Sequence, residues 1–182
     1  MQTPAFALFD TAIGVCGVAW SARGLTAVQL PERDAAATRA RLLRRLPGAE
    51  EAPPPAFVEA AIAAIVALLA GEPRDLTQIP LDVVPADDFV RRVHAITRAI
   101  PPGCTLTYGE VAARAGQPGG AQAVGRAMGS NPIPIVVPCH RVVGSGGKLG
   151  GFSAPGGART KLRLLEIERA MAPEALPLFA SR

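Results

Sequence analysis

Histidine and cysteine are scarce in this chain, and the scarcity excludes several kinds of protein. His94 and His140 are the two histidines of 182 residues, and no C-x-x-C or H-x-x-x-H spacing accompanies them. No compact zinc-ligand set is therefore visible, and no cofactor is expected. Cys16, Cys104 and Cys139 are odd in number and far apart, which argues against a disulfide framework and for a reducing cytoplasm. No apolar run approaches the ~20 residues of a membrane-spanning helix. The longest, "AAIAAIVALLAG", is broken at Gly71. The opening "MQTPAFALFDTAIG" lacks the basic start of a secretory signal. The expectation is a cytoplasmic protein without a membrane partner.

Hydrophobic residues make up 49% of the chain, enough for a packed core in one substantial domain or two small ones. Charge is uneven. Residues 1–86 hold 7 Lys/Arg and 9 Asp/Glu, whereas residues 87–182 hold 12 and 6. A basic second half suits contact with phosphates, although an Arg-rich composition without meaning gives the same count.

The first half reads as a small α+β unit. "FALFDTAIGVCGVAWSARGLTAVQL" alternates and is punctuated by Gly14, Gly17 and Gly24, as hairpins are. "DAAATRARLLRRL" and "AFVEAAIAAIVALLAG" read as helices, and "IPLDVVP" as a further strand. From residue 87 the pattern turns helical. "DDFVRRVHAITRAI" puts Phe89, Val93, Ile96 and Ile100 on one face. "TYGEVAARAG" carries a capping box, Thr107 with Glu110, and "AQAVGRAMGSNP" follows after the turn "QPGG". Two short helices around a glycine-containing turn outline a helix-turn-helix; an ordinary helical hairpin is the alternative. In the second helix Ala121, Val124 and Met128 form a core stripe. Gly120, Gln122, Ala123 and Arg126 face the other way and lack bulk, which suits close approach to a DNA groove.

"IPIVVPCHRVVG" is the chemically richest stretch. An apolar strand over 133–137 is expected to end at Pro138, which has no N–H and holds Val137 extended. Cys139 and His140 then share a turn, where strand alternation no longer separates them. A free thiol has a pKa of ~8.5, so a nucleophile needs a neighbour that takes its proton. In the last helix, "ARTKLRLLEIERAM", Leu164, Ile167 and Met171 define a buried face with Glu168 at its edge and Glu166 opposite. Cys139, His140 and Glu168 make a nucleophile, base and orienter set, with a buried structural cysteine as the alternative.

"NPIPIVVPCHRVVG", preceded by "FVRRVHAITRAIPPGCTLTYGEVAARAG" and followed by "GGFSAPGGARTKLRLLEIE", resembles the DNA repair alkyltransferases that act on O6-alkylguanine. The resemblance covers about residues 81–169. It implies an α+β fold: a small ribonuclease-like α/β domain over 1–85, then a helical, winged-helix-like helix-turn-helix domain over 86–182 that carries the cysteine. It further implies that O6-alkylguanine, with O4-alkylthymine a further candidate lesion, is flipped out of double-stranded DNA and passes its alkyl group irreversibly to Cys139. By the same resemblance, a water is expected to link His140 to the cysteine, Glu168 to hold His140, Tyr108 to assist the departing guanine, and Asn131 to organise the turn. Val142, Ser153, Met128 and Pro134 match residues that contact the base; Gln122, Ala123, Arg126, Gln117 and Ser145 match DNA contacts. The implied protein acts as a monomer, without an obligate protein partner.

Three residues depart from the family pattern. Gln122 stands where an arginine usually enters the base stack, His94 replaces a tryptophan, and Phe152 replaces a tyrosine. The first leaves a second reading open, a lesion-binding protein of the same fold without efficient transfer. A Cys-His hydrolase lacks support in the flanking sequence, and a plain helix-turn-helix regulator leaves Cys139, His140 and Glu168 unexplained.

Overall fold

The computed structural model describes residues 4–85 and 87–170. Strands β1 (Ala5–Thr11), β2 (Gly14–Ser21) and β3 (Gly24–Gln29) form the expected antiparallel meander. Gly24 is required at the second turn: at its φ of +155°, an added Cβ meets the Pro80 carbonyl oxygen at 2.6 Å. Helix α1 (Ala35–Arg45) starts at Asp34, whose side chain accepts from the Ala37 amide at 2.7 Å. Strand β4 (Glu50–Glu51) then pairs in parallel with β1, giving the sheet order β3-β2-β1-β4. Helix α2 (Ala56–Leu69) buries Val58, Ala61, Ile65, Leu68 and Leu69, and the chain turns at Gly71 with φ +92°.

"IPLDVVP" does not become a strand. It contributes one isolated parallel bridge, Leu25 to Leu81. Proline at 80 and 85 removes ladder donors, and the Asp82 carboxylate is engaged by the Ser21 hydroxyl and, at 2.8 Å, by Arg23.

The chain forms two compact units, and they are not divided by one cut. The first takes the chain up to Val84 together with Pro132–Val136; the second takes Pro85–Asn131 and the chain from Val137 on. The "IPIVV" run is also not the strand expected from its apolar content. Ile135 has φ +74°, a left-handed conformation that a β-branched residue rarely adopts, and Pro132 and Pro134 offer no N–H to a ladder. The segment is held instead by burial of Ile133, Ile135 and Val136 and by the Pro132 carbonyl, which accepts from the Val28 amide and from Arg45 Nη2, both at 3.0 Å.

In the second unit α3 (Asp88–Arg98) starts at Asp87 and buries Val93 and Thr97, with Ile100 following. Strand β5 (Leu106–Thr107) leads directly into α4 (Tyr108–Arg114). Its capping box is complete: Thr107 Oγ1 accepts from the Glu110 amide at 3.2 Å, and the Thr107 amide donates to Glu110 Oε2 at 2.7 Å. Helix α5 (Ala121–Gly129) follows the turn; a one-turn 3₁₀ helix spans Cys139–Arg141; β6 (Val142–Val143) pairs in parallel with β5; and α6 (Ala158–Ile167) closes the unit. The core joins Val93, Ile100, Val111, Ala112, Val124, Met128, Cys139 and Val142. The buried face of α6 is rotated from the expected one. It carries Lys161, Leu164 and Leu165, whereas Ile167 is half-buried and Met171 lies outside the described residues. Among the described residues, no helix is long and apolar enough to cross a membrane.

Candidate active site

Pro138 converts the chain from the Pro132–Val136 segment into the tight turn that carries Cys139 and His140. The turn is closed by the Arg141 amide donating to the Pro138 carbonyl at 2.8 Å, and the Cys139 amide donates to the Val137 carbonyl at 2.8 Å. Asn131 Nδ2 donates to the same Val137 carbonyl at 2.8 Å, and its amide also hydrogen-bonds the Cys139 side chain. Cys139 is 7% exposed and lines a cavity of about 530 Å³. Tyr108 of α4, Ala121, Gln122, Gly125, Met128 and Gly129 of α5, and Gly151, Phe152 and Ser153 of the glycine-rich loop complete the wall. The loop is tied to the helices by Ser153 Oγ donating to the Gly129 carbonyl and by the Tyr108 hydroxyl donating to the Gly151 carbonyl, both at 3.3 Å.

Behind the thiol runs a charged chain. His140 Nε2 lies 2.9 Å from Glu168 Oε1, and Arg141 grips the same carboxylate with two bonds of 2.8 Å, from Nε to Oε2 and from Nη2 to Oε1. His140 is 1% exposed, and the Glu168 side chain 3%. Burial alone pushes the Glu168 carboxyl up, but the hydrogen bonds and charges of His140 and Arg141 outweigh it and hold the pKa at about 2. An ionised carboxylate only accepts, so the bond assigns the imidazole proton to Nε2 and leaves the lone pair on Nδ1. Burial holds His140 below its ordinary value despite Glu168, so the neutral ring is the resting form. Its Nδ1 is buried and has no partner, an unsatisfied acceptor suited to taking a proton.

Burial also raises the Cys139 pKa, against the Asn131 hydrogen bond and the Lys161 charge, so the resting group is a thiol that needs a base. Lys161 is fully buried. Its ammonium donates to the Val142 carbonyl at 2.6 Å, to the Tyr108 hydroxyl at 3.1 Å and to the Gly151 carbonyl at 3.4 Å. Burial lowers its pKa to about 8, with the Cys139 charge acting the other way.

The Glu168 fork is a stability element with a defined pH window. Its folded pKa is depressed from 4.5 to about 2, so its contribution is complete above pH ~4.5 and is lost as pH falls toward ~2. The contribution is on the order of 3 kcal/mol. Glu168→Gln is therefore expected to unfold at lower urea than the wild type at pH 7, with the two midpoints converging between pH 4.5 and 2.5. A gap independent of pH would show that the ionised carboxylate is not its source.

Of the residues singled out in the sequence, Cys139, Tyr108, Met128, Ser153 and Gln122 meet at the cavity wall. Asn131 stands beside the cysteine turn. Val142 is buried with its carbonyl on Lys161, and Pro134 belongs to the segment grouped with the first unit; neither is in the lining. Gln117, Gln122, Arg126 and Ser145 are exposed, and Ala123 is half-buried. Sequence reasoning missed Lys161 and Arg141. A signal for Lys161 existed: it falls on the apolar stripe of α6 with Leu164 and Leu165, two turns before Glu168, where a lysine must be paired.

The geometry defines a class, a protein with two short helices joined by a turn and a buried cysteine that opens into a cavity lined by the second of them. Residues 88–170 match the family model described as 6-O-methylguanine DNA methyltransferase, DNA binding domain. The methylated-DNA–protein-cysteine methyltransferase of Mycobacterium bovis is 44% identical over 128 residues, 70% of this chain and 74% of that protein. The enzyme of the same name from Methanothermobacter thermautotrophicus is 37% identical over 152 residues, 84% and 78% of the two chains. A crystal structure of Mycobacterium tuberculosis OGT in complex with DNA superposes with a TM-score of 0.75 at 36% identity, covering 96% of this chain and 99% of that one. This chain thus belongs to the methylated-DNA–protein-cysteine methyltransferase family, and its mixed α+β fold matches that of the Mycobacterium tuberculosis structure.

Proposed function

We propose that this protein flips O6-alkylguanine out of duplex DNA and accepts the alkyl group irreversibly on Cys139. The observation that carries the reading is a cysteine at a cavity wall followed directly in the chain by a buried histidine whose Nε2 is engaged by Glu168 and whose Nδ1 has no partner. The thiol proton passes, through a bridging water, to His140 Nδ1, and Glu168 stabilises the imidazolium. The sulfur attacks the alkyl carbon in line; the S–C bond forms as the C–O6 bond breaks, and the bonding pair leaves on the guanine. The departing base takes a proton back from the site, with the Tyr108 hydroxyl, backed by the Lys161 ammonium, as the donor on its edge. A thioether has no carbonyl for water to attack, so each chain acts once. Ser153 and Met128, which line the cavity, serve the base, and the first unit corresponds to a ribonuclease-like domain.

Intact mass after incubation with O6-methylguanine duplex tests this directly. One methylene gained per chain is the expected result. A bound but unmodified chain supports lesion binding without transfer, and repeated release of product supports a hydrolase.

The same reading places the exposed face of α5 in the DNA groove with Gln122 at the gap left by the flipped base. Unstacking costs a few kcal/mol, and arginine offsets part of it with a planar cation that also bonds the orphaned base. Glutamine is shorter and neutral. Gln122→Arg is expected to speed duplex repair several-fold while leaving single-stranded substrate, which has no stack to open, nearly unchanged. Arg126→Ala is the control. Collapse of duplex rates in that variant, with Gln122→Arg silent, assigns the role to Arg126; no effect of either removes α5 from the groove.

A further inference from the structure

Two side chains of α3 reach the two helices of the DNA-binding pair at the same kind of place. Arg92 Nε donates to the carbonyl of Ala115, the residue that ends α4, at 2.9 Å. His94 Nε2 lies 3.3 Å from the carbonyl of Ala127 in the last turn of α5, an acceptor it shares with the Ser130 hydroxyl at 3.0 Å. Thr97 adds a third contact on the same helix, donating to Met128 Sδ at 3.7 Å. Carbonyls in the last turn have no partner within their own helix and carry the negative end of its dipole, so a donor from outside gains more there than along the shaft. Since a carbonyl only accepts, the bond also assigns the His94 proton to Nε2.

We infer that α3 is the clamp that sets how α4 and α5 are presented to DNA, and that Arg92 is a positioning residue for DNA recognition, not a phosphate contact. In a basic half of the chain, Arg92 reads at first sight as one more phosphate ligand. Arg92 is exposed, but its Nε is committed to the carbonyl of Ala115, two residues before Gln117 in the turn that joins the recognition pair. His94 does for α5 what Arg92 does for α4. Together they fix one end of each helix from a single rigid element, which leaves the loop between the helices free of that task. The inference rests on α5 meeting DNA but not on alkyl transfer.

The test uses Arg92→Met, which keeps the apolar stem, and unmodified duplex as the probe. Affinity is expected to fall about threefold to tenfold, while the slope of log K against log salt stays that of the wild type. At saturating O6-methylguanine duplex the transfer rate is expected within about twofold of wild type, so the loss lies in binding alone. Arg92→Lys, which keeps a charged donor, is expected to recover part of the affinity. A slope shallower by about 0.9 makes Arg92 a phosphate contact and overturns the inference. Unchanged affinity, no recovery with lysine, or a saturating rate that falls with affinity overturns it as well. Absence of transfer in the wild type instead defeats the alkyl-acceptor reading, because the affinity and salt measurements need no chemistry.

Discussion

Cys139→Ser is expected to abolish alkyl transfer, by on the order of 10⁴-fold or more, while leaving duplex affinity within experimental error. Oxygen in place of sulfur preserves the shape of the cavity wall, but a hydroxyl is a far weaker nucleophile at saturated carbon and yields its proton less readily. Gln117, Gln122 and Arg126, the exposed residues proposed to face DNA, do not depend on the thiol. Intact mass and gel-shift titration of the same preparation separate the two effects. The other thiols offer poor substitutes. Cys16 is fully buried with its pKa pushed up to about 11 by burial, and Cys104, though exposed, is not in the cavity lining. A methyl adduct in the serine variant would move the nucleophile to one of them and sink the assignment.

His140 and Glu168 should fail as one unit. His140→Ala removes the proposed base, and its transfer rate is expected to drop about 10²- to 10⁴-fold. Glu168→Gln removes the charge that fixes the Nε2–H tautomer and stabilises the imidazolium, so a loss approaching that of His140→Ala is expected. The double variant should cost little more than the worse single one, because a carboxylate without its imidazole has no proton transfer left to support. The wild-type rate should also fall as acid protonates Nδ1, in a range below the ordinary imidazole value, since burial depresses the His140 pKa. Single-turnover rates of the four proteins, below their unfolding transitions, decide the matter. Losses that multiply without interaction would mean that Glu168 serves only the Arg141 fork.

Much of the site could be read from residue order because its parts are local. Pro138 before Cys139 dictates a turn whatever surrounds it, and the Thr107–Glu110 box closes within four residues. The carboxylate partner was legible too, since Glu168 on the edge of an apolar helix face had to be paired. What escaped depends on distant neighbours. A buried lysine is tolerable only where three acceptors converge on it, and those of Lys161 come from α4, β6 and the glycine-rich loop. The α6 face was misjudged for the same reason: periodicity counts a lysine as polar and turns the stripe away from it. In "IPIVV" the apolar content is that of a strand, but Pro134, the preceding Pro132 and the left-handed Ile135 make it a compact loop. Composition reports burial there and is silent on backbone path.

That loop bears on how such a protein can be taken apart or recombined. Pro132–Val136 is covalently part of the second half of the chain, yet it packs as part of the first. A gene cut at the apparent boundary, near residue 85, would strip Ile133, Ile135 and Val136 of the partners that bury them and leave a sticky apolar knuckle next to the cysteine turn. Fusion and grafting of the cysteine-bearing half would have to carry the amino-terminal unit along or rewrite those five residues. The chain passes from one unit to the other three times, so no single cut separates them.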